Sequence, residues 1–380
     1  MSTPFTTYSL EQLRKRTSAK WQHYGPEVLP LWVAEMDVPI APAVIDAVNK
    51  AMRDGDTGYA VGNGCGDIFA EYALRHWNLV IDPAYALPVI DVIRGLDTVI
   101  RAATEPGAPI VLTPPVYYPF AMIVAGTGRT LVNAPLTAGG RLDPESLEKA
   151  FSEAAAMGKG GMVLISNPHN PGGAVHTREE LTMLATLANK HGIRILSDEI
   201  HAPLTMPGYD FVSILAIPEA ADAVVVTSAS KSYNLAGLKS AIIQANENSS
   251  ELLETIRNSG YESPSHLGSI AHMAAFQGGD EWLADVVKDI DRNRHLVTEL
   301  VDNFLPGALY TPVHSTYLAW IDCRPLNLGE DPAQVFLEKG KVAFNSGHTF
   351  GPGGEGHIRV NMGTSPEILT EAFRRAALAL

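Results

Sequence analysis

Apolar residues recur at helical spacing in several stretches of the chain. Ala41-Pro42 opens one such stretch, with Val44, Ile45, Val48 and Met52 on one face and Gly55 beyond its end. Asp143-Pro144 opens another, carrying Leu147, Ala150 and Phe151. Thr177 with Glu180 three residues later forms a capping box, followed by Leu181, Leu184 and Leu187 and stopped at Gly192. Ser365-Pro366 starts the last helix. Between the helices lie short, continuous apolar runs: Met162–Ile165, Ile193–Leu196 and Ala223–Val226. Runs of this length, rich in β-branched residues and alternating with helices, predict buried parallel strands with helices on both faces of one sheet. The rhythm changes near residue 285. A polar helix from about Glu281 to Asn303 leads to strand patterns at Thr316–Asp322 and Ile358–Met362, while the first 40 residues have no α/β rhythm. The expected fold class is α/β: a large domain over 41–284 with a mainly parallel sheet, and a smaller α+β domain built from 1–40 and 285–380.

Composition changes this picture by exclusion. Of 380 residues, 46% are hydrophobic and 18% charged, which rules out a disordered chain. Two cysteines, Cys65 and Cys323, rule out a disulfide scaffold and read as buried packing residues. The net charge of −14 leaves no electrostatic footprint for nucleic acid or an anionic membrane. No apolar run reaches the length of a membrane span, and the N-terminal residues lack an apolar signal core. A cytoplasmic setting is expected, and no metal site.

The candidate chemistry lies just after the predicted strands. Ile165 is followed by Ser166-Asn167-Pro168-His169-Asn170, Leu196 by Ser197-Asp198-Glu199-Ile200-His201, and Val226 by Thr227-Ser228-Ala229-Ser230-Lys231-Ser232. Each residue alone has an ordinary explanation: a surface lysine, a helix-capping aspartate, a turn asparagine, a satisfied histidine. Together they gather an amide, a carboxylate, an imidazole and an amine at one rim of an open parallel sheet, where ligands bind. A lysine beside hydroxyls suits covalent attachment of a phosphorylated carbonyl cofactor. A fixed carboxylate suits a pyridinium nitrogen, and Asn170 or His201 can bond a ring oxygen. The Val92-Ile93-Arg94-Gly95-Leu96 pattern supplies a helix N-terminus for the phosphate. The set describes pyridoxal 5′-phosphate.

The chain resembles the class I/II aminotransferase superfamily of fold type I, and most of all its cystathionine β-lyase or carbon–sulfur β-lyase branch. The resemblance is carried by LPLWVAEMD (29–37), TGYA (57–60), PPVYYPF (114–120), SNPHNPGG (166–173), SDEIHAPL (197–204), SASKSYNLAGLK (228–239), GGDEWL (278–283), STYLAWID (315–322) and FGPGGEGHIRVNMG (350–363). It implies that Lys231 carries the cofactor, that Asp198 partners the pyridine nitrogen, and that Asn170 and His201 lie near the ring hydroxyl. It implies that Tyr117 stacks on the ring, and that Ser228 with the Val92 and Ile93 amides forms the phosphate cup. Tyr59 resembles the tyrosine that reaches the phosphate of a neighbouring subunit, which implies a homodimer with shared sites and groups Tyr59 with Lys231 and Asp198 as catalytic. Arg359 matches the clamp for a substrate α-carboxylate, beside Asn170. Two positions depart from the pattern: Asp91 stands where glycine is usual before the phosphate cup, and Lys239 where many relatives have arginine. Further pocket residues are expected from Trp32–Asp37, the Tyr59 region and the loops near Tyr117. The implied reaction is α,β-elimination from cystathionine or another cysteine S-conjugate, giving a thiol, pyruvate and ammonia. An aminotransferase using the same residues is the alternative reading, and a cofactor-containing regulatory protein acting through a partner is a third.

Overall fold

A computed structural model describes residues 3–61 and 64–380. The chain's first strand, β1 (Leu29–Pro30), is followed by β2 (Ala86–Val89), β3 (Pro109–Leu112), β4 (Thr130–Asn133), β5 (Gly161–Ser166), β6 (Ile193–Asp198), β7 (Val224–Thr227) and β8 (Ala241–Ala245). The last five strands are β9 (Leu309–Tyr310), β10 (Leu318–Asp322), β11 (Val342–Ala343), β12 (Asn345–Ser346) and β13 (His357–Asn361). One sheet has the order β2-β8-β7-β6-β5-β3-β4. Its pairs from β7 to β4 are parallel; β8 runs antiparallel to both of its neighbours.

Every residue of β5 is buried, so the strand shows no polar face. Its side chains still alternate between two cores. Met162 and Leu164 join Leu112, Leu196 and Val226 on one face; Val163 and Ile165 join Ile195, Val225 and the helix residues Leu181 and Leu184 on the other. This is the burial that a continuous apolar run demands when helices cover both sides. The helix Arg178–His191 has its capping box, in which the Glu180 N–H donates to the Thr177 hydroxyl at 3.2 Å, and ends at Gly192 with φ +65°. The predicted strands near 162, 193 and 224 are therefore all in place, next to one another.

One expectation changes. The helix Pro42–Asp54 buries Val44 and Ala51, while Ile45 and Met52 are exposed, so the apolar stripe is wider than the face one chain covers. The late helix, expected from about Glu281 to Asn303, runs Asp280–Phe304 and so spans residues 284 and 285. The strands expected at 316–322 and 358–362 begin and end within two residues of β10 and β13, whose antiparallel ladder pairs Trp320 with Arg359. A four-stranded sheet, β12-β13-β10-β9, contains them, and β1 pairs in parallel with β11. That pairing ties the N-terminal segment to the C-terminal part of the chain. No described helix is long and apolar enough to cross a membrane.

Candidate active site

The carboxyl ends of β5, β6 and β7 lie side by side, with Ser166 opposite Asp198 in the ladder. They open on a cavity of about 440 Å³ lined by Asn170, Asp198, His201, Lys231 and Arg359, and also by Asp91, Val92, Ile93 and Tyr117. Residues 189 positions apart meet there: an Arg359 Nη1–H donates to the Asn170 side-chain oxygen at 3.0 Å. The chain's own topology makes this meeting, since β13 comes from the small sheet and Asn170 from the loop after β5.

Part of the roof is a backbone strap. The Asn234 amide bonds both the N–H and the carbonyl of Met36, at 2.9 and 3.0 Å. The Asn361 amide donates to the Val33 and Glu35 carbonyls, each at 2.7 Å. Beneath it, buried Lys20 donates to the Glu35 carbonyl and pairs with buried Asp37 at 2.7 Å. Held this way, the strap presents its Ala34 carbonyl to Lys231, whose amine donates to it at 2.8 Å. Sequence reasoning expected Trp32–Asp37 in the pocket but gave Ala34 no role, because a backbone acceptor has no side-chain signature. Asn345 and Thr349 also line the cavity and were not foreseen.

The electrostatics are those of a site in which Asp198, Lys231 and Arg359 form no ion pairs among the described residues. Asp198 is 4% exposed, and the Ile200 N–H at 3.1 Å is its one donor among the described residues. Its neighbour Glu199 turns the other way and accepts from Ser197, Ile214 and Asn167. Burial pushes the Asp198 carboxyl up to about 7. Burial, then the Arg359 charge, brings the Lys231 amine down to about 8. Burial holds His201 down to about 3, with Lys231 and Arg359 adding to it, so its imidazole is neutral; its Nδ1 has no partner among the described residues. Arg359 is 4% exposed and forms no ion pair among the described residues. Its guanidinium sits over the Phe350 ring at 4.9 Å and also donates to the Trp32 carbonyl at 3.3 Å. A desolvated cation without an anion is costly unless a ligand brings one.

The other expected positions divide. Val92 and Ile93 start the helix Val92–Ala103, so their N–H groups have no intrahelical acceptor, and both residues line the cavity. Burial raises the Tyr117 hydroxyl to about 12, leaving a neutral aromatic wall. Ser228 does not line the cavity. Its hydroxyl donates to the Ser240 carbonyl at 2.6 Å and accepts from the Ser230 N–H at 3.0 Å. Ser230, two residues on, faces the space instead. Tyr59 is fully exposed and outside this cavity.

A mainly parallel α/β sheet whose strand ends collect a lysine, a lone buried carboxylate, a lone buried arginine and a helix N-terminus defines a class: enzymes that work on small anionic substrates in an α/β crevice. Comparison with known proteins makes the class specific. A family model described as aminotransferase class I and II matches residues 27–375, and the chain belongs to that family. It is 43% identical, over 100% of its length and 98% of the relative's, to a Mycobacterium leprae protein named “Putative cystathionine beta-lyase”. It is 33% identical to the cystathionine beta-lyase of Corynebacterium glutamicum, covering 98% of this chain and 99% of that one. The crystal structure of cystalysin from Treponema denticola, which contains a pyridoxal 5′-phosphate cofactor, superimposes with a TM-score of 0.91 at 27% identity, over 100% and 99% of the two chains.

Proposed function

We propose that the chain is a pyridoxal 5′-phosphate-dependent carbon–sulfur β-lyase. It acts on cystathionine or another cysteine S-conjugate, and water completes the reaction to thiol, pyruvate and ammonium. The observation that carries this reading is one cavity holding three groups without an ion-pair partner among the described residues: the amine of Lys231, the carboxylate of Asp198 and the guanidinium of Arg359. The cofactor and its amino-acid substrate match all three groups, and the phosphate matches the helix N-terminus. Lys231 would bond the cofactor's carbonyl carbon, Asp198 would face its pyridine nitrogen, and Tyr117 would cover its ring. Val92 and Ile93 N–H groups, with Ser230, would hold its phosphate. Ser228 supports this end indirectly, by fixing the Ser230 and Ser240 backbone.

When bound, the cofactor withdraws electrons from Cα of an amino acid attached to it. The chain's residues do the rest. Arg359 takes the substrate carboxylate in its fork, and Asn170, already bonded to Arg359, fixes the orientation of that fork. Freed from the cofactor when the substrate's amine takes its place, Lys231 would take the Cα proton; burial, then the Arg359 charge, brings its amine down to about 8, so it is neutral often enough near that pH. The Ala34 carbonyl gives the resulting ammonium a fixed acceptor. Names of relatives support the choice of lyase over transaminase. The measurement that decides is a panel of cysteine S-conjugates with pyruvate and thiol as readouts: release of both without any added 2-oxo acid is expected. Turnover that requires a 2-oxo acid and yields no pyruvate would replace the reading by an aminotransferase.

We further propose a homodimer with shared sites. Tyr59 and Val61, at 100% and 80% exposure, and the uncovered Ile45 and Met52 are large apolar residues that a single chain leaves in water. A second copy covering them would bring Tyr59 to the neighbour's phosphate end. Mixing an inactive Lys231→Ala chain with an inactive Tyr59→Ala chain is expected to restore up to about a quarter of wild-type activity, since a mixed symmetric dimer then carries one intact site. No recovery on mixing, despite subunit exchange seen by mass spectrometry, would remove the shared site. The division into 41–284 and 1–40 with 285–380 is proposed on the separate sheets, and a cytoplasmic setting on two buried free thiols.

A further inference from the structure

The two positions at which the sequence leaves its family's pattern are partners. Asp91 precedes the helix Val92–Ala103 and uses one carboxylate oxygen to cap it, accepting from the Arg94 N–H at 2.8 Å. Its other oxygen accepts from the Lys239 amine, also at 2.8 Å, across 148 residues of sequence. Both residues line the cavity, as do Val92 and Ile93. Lys239 has a constrained backbone. Its backbone adopts φ +59°, a conformation that glycine or asparagine takes more easily. Its carbonyl receives the Ser265 N–H at 3.0 Å, and the helix from His266 approaches so closely that a Cβ on Gly268 would lie 2.0 Å from the Leu238 oxygen. A half-exposed ion pair adds little to folding stability, so stability does not account for the arrangement.

We propose that Asp91 and Lys239 form a charge-compensated clasp for the cofactor phosphate: Asp91 caps the helix and holds the lysine amine at the phosphate end, and Lys239 cancels the charge that makes Asp91 hostile to an anion. The proposal rests on the cofactor reading above and adds to it a role for Asp91 and a coupling between the two residues. Without Lys239, a bare carboxylate stands next to the first-turn N–H donors and repels the phosphate. Without both charges, the N–H donors remain and the repulsion is gone.

The test is equilibrium binding of pyridoxal 5′-phosphate to cofactor-free protein, read by absorbance and by tryptophan quenching, for the wild type, Lys239→Met, Asp91→Ser and the double variant. Serine keeps a helix-capping oxygen while removing the charge. Lys239→Met is expected to weaken binding by about 30- to 100-fold. The double variant is expected to return to within about fivefold of the wild type, because the two charges are coupled, and Asp91→Ser alone to bind at least as tightly as the wild type. Lys239→Gln, with a matching melting curve, guards against loss by misfolding. A double variant as weak as Lys239→Met, or a Lys239→Met protein that binds normally, overturns the clasp. Failure of the wild type itself to bind the cofactor would instead overturn the reading beneath it.

Discussion

Replacing Lys231 with alanine is expected to lower pyruvate release by about 10⁴-fold or more, the loss of a covalent anchor and a general base together. The same variant is expected to release its cofactor on dialysis. After borohydride reduction, the wild-type peptide containing Lys231 should carry the cofactor's mass, and the variant should carry none. Three facts make Lys231 the residue to change. It lies four positions beyond β7, at the rim where the parallel strands end. Its amine touches one protein acceptor, the Ala34 carbonyl, and no carboxylate within ion-pair distance among the described residues. Burial and Arg359 bring its pKa down to about 8 from the usual value of a lysine, so the neutral base is accessible near neutrality. The amine accepts a proton only when it has none, so kcat should rise with pH on the acid side and level off as Lys231 becomes neutral. A covalent cofactor mass remaining on Lys231→Ala protein would move the anchor to another lysine.

Much of this site was legible because each polar group sits a fixed few residues after a buried apolar run. Runs at 162–165, 193–196 and 223–226, alternating with helices, read as parallel strands of one sheet, and their pairing brings the polar residues at their carboxyl ends together. The helix caps were equally readable, since Thr177, Glu180 and Gly192 are local chemistry. The hidden part was tertiary. Nothing in the sequence of Ala34 marks its carbonyl as the acceptor for Lys231; that depends on Asn234 and Asn361 gripping the strap from distant segments. Ser228 looked like a phosphate ligand because serine hydroxyls are generic donors; in the fold its hydroxyl donates to the Ser240 carbonyl, and Ser230 is the serine of this loop that lines the cavity. Asp91 looked like an obstacle to phosphate binding because its counter-charge lies 148 residues away. Ile45 and Met52 were placed on a buried face, since periodicity reports an apolar stripe without saying whether the same chain or another covers it.

Arg359→Met is expected to do two opposite things: lower kcat/KM by about 10²- to 10³-fold and leave the cofactor-free protein as stable as the wild type or more so. The first effect comes from removing a buried charged hydrogen-bond partner of the substrate carboxylate, a loss of about 3–4 kcal/mol. The second comes from desolvation. Arg359 is 4% exposed with no anionic partner among the described residues, and burial pulls its ordinarily very high pKa down to about 10. A methionine of similar length fills the space over Phe350 without that charge. The Asn170 oxygen and the Trp32 carbonyl each lose a donor, but both residues line the cavity and can take water in its place. Arg359→Lys separates charge from geometry. It restores the cation without the two-pronged fork, so kcat/KM should recover only in part, mainly through KM, and the stability gain should vanish. Steady-state kinetics with a cysteine S-conjugate and thermal unfolding of the cofactor-free variants read both effects. If Arg359→Met kept wild-type kcat/KM, the carboxylate must be held elsewhere in the cavity. If it lost activity and melted well below the wild type, Arg359 would be a structural brace for the loop after β5, and the case for a charge held ready for substrate would fail.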